Sequence, residues 1–161
     1  MKGKYLILGS NIGDPISNIE TAVNKIRTNV GEVVRASSIY LTEPWGKKDQ
    51  ATFYNQVIEI KTDLNAFETL NKILAIEESM GRVRTKKWAE RIIDIDILYY
   101  NDQDIRKKNL TIPHPGIPDR KFVLIPLCEL IPDGIHPVLN VSNTDLLKAC
   151  KDNLGVKKIS P

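Results

Sequence analysis

The chain has 161 residues, 42% of them hydrophobic and 27% charged, with a net charge of +3 at neutral pH. This is the profile of one ordinary globular domain spanning 1–161, long enough to bury roughly two-thirds of its unfolded surface. It excludes wholesale disorder and makes no electrostatic case for nucleic acid as a partner. The apolar run within Met1–Gly9 is too short for a signal peptide or a membrane span. Cys128 and Cys150 stand far apart, in no metal-ligand spacing, as expected of free thiols in a reducing, cytoplasmic compartment. The expectation is a monomer that works on small molecules, away from nucleic acid and membranes.

Lys4 to Leu8 reads as a buried strand meeting a tight turn at Gly9. Asp14-Pro15 then supplies an N-cap and a proline at the first helical position. Ile16, Ile19, Val23, Ile26 and Val30 follow at helical spacing, closed by Gly31. Val33 to Leu41 is β-branched and alternating, which predicts a single strand before the turn-rich Glu43–Gln50. Residues 53–61 predict another strand. Asn65 and Glu68 form the capping-box pattern, opening a helix that turns Phe67, Leu70, Ile73, Leu74 and Ile76 inward and stops at Gly81. Glu77 falls on that apolar stripe; Arg82 or Arg84 would answer its charge, unless it snorkels to water. Residues 92–100 complete the order β-α-β-β-α-β. The predicted fold class is therefore α+β: a ferredoxin-like core with its helices packed on one face of a mainly antiparallel sheet, plus a C-terminal extension. In that extension, residues 109–118 are too proline-rich for regular structure. A helix or buried turn is predicted over Val123–Leu130, and a short helix over Asn143–Lys151, capped by Asn143 or Thr144.

The chemistry concentrates at Arg91-Ile92-Ile93-Asp94-Ile95-Asp96-Ile97-Leu98. Side chains alternate along a strand, so Asp94 and Asp96 share one face, with Cα atoms roughly 6.5–7 Å apart, while Ile93, Ile95 and Ile97 take the other. Two like charges on a strand face need a cationic answer. A divalent cation supplies one: Mg²⁺ takes one or two carboxylates and fills its shell with water and phosphate oxygens. The cluster Arg82, Arg84, Lys86, Lys87 and Arg91 supplies the other, and also suits phosphate, which arginine grips in a bidentate fork. Trp88 within this run is either a lid for a flat heterocycle or a core anchor. Gly9-Ser10-Asn11 sits at a strand-to-helix junction but lacks the pattern of a P-loop or a dinucleotide fingerprint. His114, held between two prolines, is a candidate donor to phosphate. Phe53, Asn55 and Phe122 together offer stacking faces and an amide edge for a flat, hydrogen-bonding ring.

Taken in order over about 120 residues, these motifs closely resemble the 6-hydroxymethyl-7,8-dihydropterin pyrophosphokinase family. The residues that carry the likeness are Gly9-Ser10-Asn11, Thr42-Glu43-Pro44, Phe53-Tyr54-Asn55, Glu77, Gly81-Arg82-Val83-Arg84, Trp88, Arg91 three residues before Asp94-x-Asp96, Pro113-His114-Pro115, Arg120 and Phe122. The resemblance implies transfer of the diphosphoryl group of ATP to the pterin hydroxymethyl group, with release of AMP. It implies two Mg²⁺ ions on Asp94 and Asp96, with Arg82 and Arg91 completing the catalytic set. A pterin pocket follows from Thr42, Pro44, Trp45, Phe53, Asn55 and Phe122. Glu77, Arg82, Arg84, Trp88, Arg91, Thr111, His114 and Arg120 would bind ATP. The loops Trp45–Gln50 and Arg82–Glu90 would close over the reaction, as exclusion of water requires. The chain departs from the family where Trp88-Ala89-Glu90-Arg91 replaces a common Trp-Gly-Pro-Arg, and where Trp45 replaces a smaller aliphatic residue. Of the rivals, a nucleotidyltransferase places its Gly-Ser turn about a dozen residues before the acidic pair, unlike Ser10 and Asp94. A silent binding module would have no use for two aspartates.

Overall fold

A computed structural model describes residues 2–42, 52–81 and 92–159. β1 (Lys4–Ser10) is apolar at consecutive positions, Tyr5-Leu6-Ile7-Leu8, and such a run needs cover on both faces. It runs through the middle of the sheet, between β4 (Phe53–Lys61) and β5 (Asp94–Tyr100), antiparallel to both. α1 (Pro15–Asn29) starts where its capping chemistry dictates: Asp14 accepts from Ser17 N at 3.2 Å and Pro15 follows. α2 (Ala66–Ser79) opens with the complete capping box of Asn65 and Glu68.

Between α1 and β4 the alternating run is two strands, not the single one its pattern predicts: β2 (Glu32–Ala36) and β3 (Ile39–Thr42). Both pair with β4, but Ala36 opposes Ile58 whereas Tyr40 opposes Asn55, so one extra residue is taken up between them. The break falls at Ser37-Ser38. The Ser37 hydroxyl accepts from Val57 N at 3.0 Å, and Ser38 donates its N–H and hydroxyl to Glu129 of a distant helix. Alternation marks such a segment as extended but does not reveal where a serine side chain takes over from the ladder.

The sheet order is β5-β1-β4-β3-β8, with β2 also on β4 and β8 (Val156–Ile159) closing the far edge. The first four predicted strands thus assemble in the expected βαββαβ manner. α1 and α2 cover one face, where Leu6, Leu8, Ile19, Ile26, Ile58, Ile73, Ile95 and Ile97 form the larger core. The extension then covers part of the other face. α3 (Lys121–Leu130) and α4 (Asn143–Ala149) bury Val123, Leu124, Leu127 and Leu146 against Tyr5, Ile7, Val57, Leu98 and Tyr99. Helices therefore lie on both faces, one pair belonging to the core and one to the extension.

Local expectations are corrected at four places. Leu110–Ile112, inside the proline-rich segment, is a strand (β7) in a hairpin with β6 (Ile105–Lys107). Its three residues keep their N–H groups because the prolines come after them. The inward stripe of α2 passes through Ala66, Thr69, Ile73, Ile76 and Glu77, and leaves Phe67 exposed. Thr69 is buried because its hydroxyl meets the Tyr100 hydroxyl at 2.7 Å. The N-cap of α4 is Ser142, which accepts from Asp145 N. Asn143 is instead buried, accepting from the Tyr99 hydroxyl at 2.7 Å and donating to Ile131 O. That helix ends at Ala149, before the predicted Lys151.

Candidate active site

β5 sets out the aspartates as its alternation requires. Ile93, Ile95 and Ile97 are buried, while Asp94 and Asp96 are half-buried on the face shared with Ile7 and Val57. The row across the sheet is informative: Asp94 opposes Gly9, Gly9 opposes Asn55, and Asn55 opposes Tyr40. Asp94 and Asn55 are thus two strand spacings apart, about 10 Å, with no side chain on Gly9 between them. The close approach at Gly9 is real, since a Cβ there would lie 2.6 Å from Asn55 Oδ1.

Asn55 is 5% exposed and held in one orientation, its Nδ2 donating to Thr42 Oγ1 at 2.9 Å. The Thr42 hydroxyl in turn points at Phe53 O, 3.4 Å away. Alternation puts Phe53 on the same face as Asn55. Phe122, at the start of α3, packs against the core of that face. The Arg120 guanidinium lies 6.0 Å from the Phe122 ring centre and above Gly116, where a Cβ would come within 2.8 Å of it. The Asn55 amide, the Thr42 hydroxyl and the Phe53 ring thus lie on one side of Gly9, and the aspartates on the other.

β5 is an edge strand, and two groups dock on its outer edge. His114 N donates to Leu98 O at 3.0 Å, which brings the His114 Nε2 within 3.8 Å of Asp96 Oδ2. Its Nδ1 accepts from Gly116 N at 2.9 Å, so the ring proton of the neutral imidazole sits on Nε2, facing Asp96. Burial and the nearby Arg120 cation push its pKa down to about 4, against an upward pull from Asp94. His114 is therefore a neutral donor at pH 7. The second group is Glu77, 2% exposed, whose carboxylate accepts from Ile95 N at 2.8 Å. The alternative that Glu77 snorkels to water is overturned.

Beside the aspartates, a cavity of about 250 Å³ opens between Leu70 of α2 and the 108–115 segment, with Asp96, Lys108, Thr111 and His114 in its wall. Apolar, basic and hydroxyl groups share it. Asp94 and Asp96 present hard carboxylate oxygens on a half-exposed face, a donor set that fits Mg²⁺ and leaves most of its shell to water and phosphate. Among the described residues no three His, Cys, Asp or Glu side chains cluster as a metal cage, and no helix is long and apolar enough to cross a membrane.

Of the residues singled out from sequence, Thr42, Phe53, Asn55, Asp94, Asp96, Thr111, His114, Arg120 and Phe122 lie around this face and edge. Pro44, Trp45, Arg82, Arg84, Trp88 and Arg91 lie outside the described residues, as do both expected closing loops. By its sequence Gly9 is marked only as a turn residue. Its role as the gap in the row needs the register of three strands. Gly116 carried no signal at all, although its N–H fixes the His114 tautomer.

The profile of the 7,8-dihydro-6-hydroxymethylpterin-pyrophosphokinase family matches residues 5–132. The chain is 44% identical over 134 residues to a 2-amino-4-hydroxy-6-hydroxymethyldihydropteridine pyrophosphokinase of Aquifex aeolicus, covering 83% of each. It is 36% identical over 154 residues to the Haemophilus influenzae protein of that name, covering 95% of this chain and 96% of the relative. Among solved structures it resembles Plasmodium falciparum HPPK-DHPS with pteroate, with a TM-score of 0.76 at 22% identity over 91% of this chain. It spans 42% of that longer chain, and the likeness bears on the fold alone.

Proposed function

The chain belongs to the 7,8-dihydro-6-hydroxymethylpterin-pyrophosphokinase family, and from that premise we propose how its own residues carry out the family's reaction. It is an ATP- and Mg²⁺-dependent transferase of folate biosynthesis, passing the diphosphoryl group of ATP to the hydroxymethyl group of 6-hydroxymethyl-7,8-dihydropterin and releasing AMP. The observation that carries the residue-level reading is the row Asp94–Gly9–Asn55, with His114 beside Asp96.

On this reading the pterin ring lies over Gly9. Its polar edge meets the fixed Asn55 amide and its faces meet Phe53 and Phe122. Thr42 holds Asn55, and Pro44 and Trp45 complete the pocket. The ring's hydroxymethyl group then points toward the aspartates. ATP enters along the outer edge of β5, its base toward Leu70 and Thr111, its phosphates toward His114 and Arg120. Arg82, Arg84, Trp88 and Arg91 are assigned to phosphate and nucleotide on the strength of the family pattern.

Asp94 and Asp96 would hold the two Mg²⁺ ions, which supply charge neutralisation and a more acidic hydroxyl when bound. The protein's own part is positioning. Asn55 fixes the acceptor, the neutral His114 donates its Nε2–H without adding a charge, and the guanidinium groups take up charge that spreads over the transferring phosphoryl oxygens. We also read the chain as a cytoplasmic monomer acting on small molecules without nucleic acid. The free thiols of Cys128 and Cys150 support the compartment.

The test is product identity. Incubation with ATP, Mg²⁺ and the reduced hydroxymethylpterin is expected to yield AMP in step with pterin consumption, and Asp94→Ala or Asp96→Ala to abolish it in a folded protein. ADP as the sole nucleotide product, or full turnover in either variant, would refute the assignment.

A further inference from the structure

The outer edge of a sheet leaves backbone N–H groups without ladder partners, and each needs another acceptor if it is buried. Beside the aspartates that acceptor is a carboxylate. Glu77, on α2, is 2% exposed and reaches Ile95 N at 2.8 Å. Ile95 is the residue between Asp94 and Asp96, so its position sets the spacing and tilt of both side chains. The cavity beside β5 is walled by Leu70 of α2, two turns earlier, and by Ile95 itself. Glu77 is not among the residues that line the cavity, and is buried together with Ile73 and Ile76 of its own helix.

We infer that Glu77 is a positioning residue for the catalytic aspartates: its buried carboxylate fixes the Ile95 peptide, and it does not touch the nucleotide. This rests on the reading of Asp94 and Asp96 as the metal-holding pair. It differs from a nucleotide contact in what it predicts. A hydrogen bond to a charged acceptor is stronger than a neutral one, and its loss frees a strand at the sheet edge. The consequence is a misplaced aspartate pair with an intact nucleotide cavity. Misplacement on the order of 1 Å costs about 100-fold in rate.

Glu77→Ala and Glu77→Gln separate the possibilities. In Glu77→Ala the amide proton of Ile95 is expected to exchange with solvent much faster than in the parent. ATP binding measured without Mg²⁺ is expected to stay within twofold, and kcat to fall by about 10- to 100-fold. Glu77→Gln keeps an acceptor oxygen. Its Ile95 amide is expected to remain protected, at a shifted resonance, and most of the turnover to be rescued. The glutamine variant also decides the matter if the alanine variant does not fold. Metal-free ATP affinity weakened tenfold in either variant, or an Ile95 amide that stays protected in Glu77→Ala, would overturn the inference. Asp94→Asn is assayed alongside. Full activity there would sink the metal-holding reading, while the Ile95 exchange rate would still report on Glu77.

Discussion

Replacing Gly9 by alanine puts a methyl carbon 2.6 Å from Asn55 Oδ1, and the structure says which side must yield. Gly9 is in an interior strand, paired on both sides, so the backbone cannot move cheaply. Asn55 must shift by about 0.5–1 Å to regain an ordinary contact. A shift of that size, directed away from β1 and toward β3, disrupts the geometry of its 2.9 Å bond to Thr42 Oγ1. A lost neutral hydrogen bond costs about 0.5–1.5 kcal/mol, and overpacking a buried site about 1–3 kcal/mol. If the amide orients the pterin, its affinity falls by about 1–3 kcal/mol, roughly 5- to 150-fold. ATP binding, on the far side of the aspartates, stays the same. Pterin binding measured calorimetrically with a non-hydrolysable ATP analogue present, and ATP binding measured alone, give the two numbers. In an Asn55→Ala background the Gly9→Ala change should add little, because the group it displaces is gone. Unchanged pterin affinity in a folded Gly9→Ala protein would refute the argument that this gap houses the ring.

Three further outcomes are expected. Removing Mg²⁺ with a chelator should stop AMP formation and leave the far-ultraviolet circular dichroism unchanged, since the fold is held by its apolar cores; unfolding on chelation would contradict this. Thr69→Val removes the hydroxyl that donates to Tyr100, whose own hydroxyl donates to Leu64 O at 2.6 Å; the loss should be about 1 kcal/mol in urea unfolding, and an unmoved midpoint would show the bond to be idle. Both histidines have depressed pKa values, His114 at about 4 and His136 below its ordinary 6.5, each mainly through burial. The unfolded chain therefore binds more protons below pH 6.5, and stability should fall on acidification from 6.5 toward 4, His114 contributing at most about 3 kcal/mol. For His136 the local cause is visible, since its Nδ1 accepts from both Val138 N and Leu139 N and cannot do so when protonated. Proton NMR titration checks this, and an imidazole that titrates at or above 6.5 would contradict it.

Much of the site was legible because its chemistry is local in the chain. Asp94-x-Asp96 lands on one strand face whatever surrounds it, since alternation is a property of the backbone. The cap at Asp14-Pro15 and the box at Asn65–Glu68 likewise depend on neighbours three residues away. Where sequence reading went wrong, a distant residue decided the matter. Glu129, on α3, draws Ser38 out of what would otherwise be one strand. Tyr100 selects Thr69 over Phe67 for burial, and Tyr99 claims Asn143, leaving the cap to Ser142. A propensity or a capping pattern carries no information about such partners.

The sequence by itself determined the family, the element order and the two carboxylates, because strand alternation, helix caps and an ordered set of motifs are written in local spacing. Only the tertiary structure decided what those carboxylates face. The register of β5, β1 and β4 sets Gly9 between Asp94 and Asn55. The docking of the His114 segment and of Glu77 on the free edge of β5 then fixes the imidazole and the Ile95 peptide around the pair. Both are long-range events: a sheet register is chosen by burying whole faces, and an edge N–H takes whichever acceptor the packing of a distant helix brings to it.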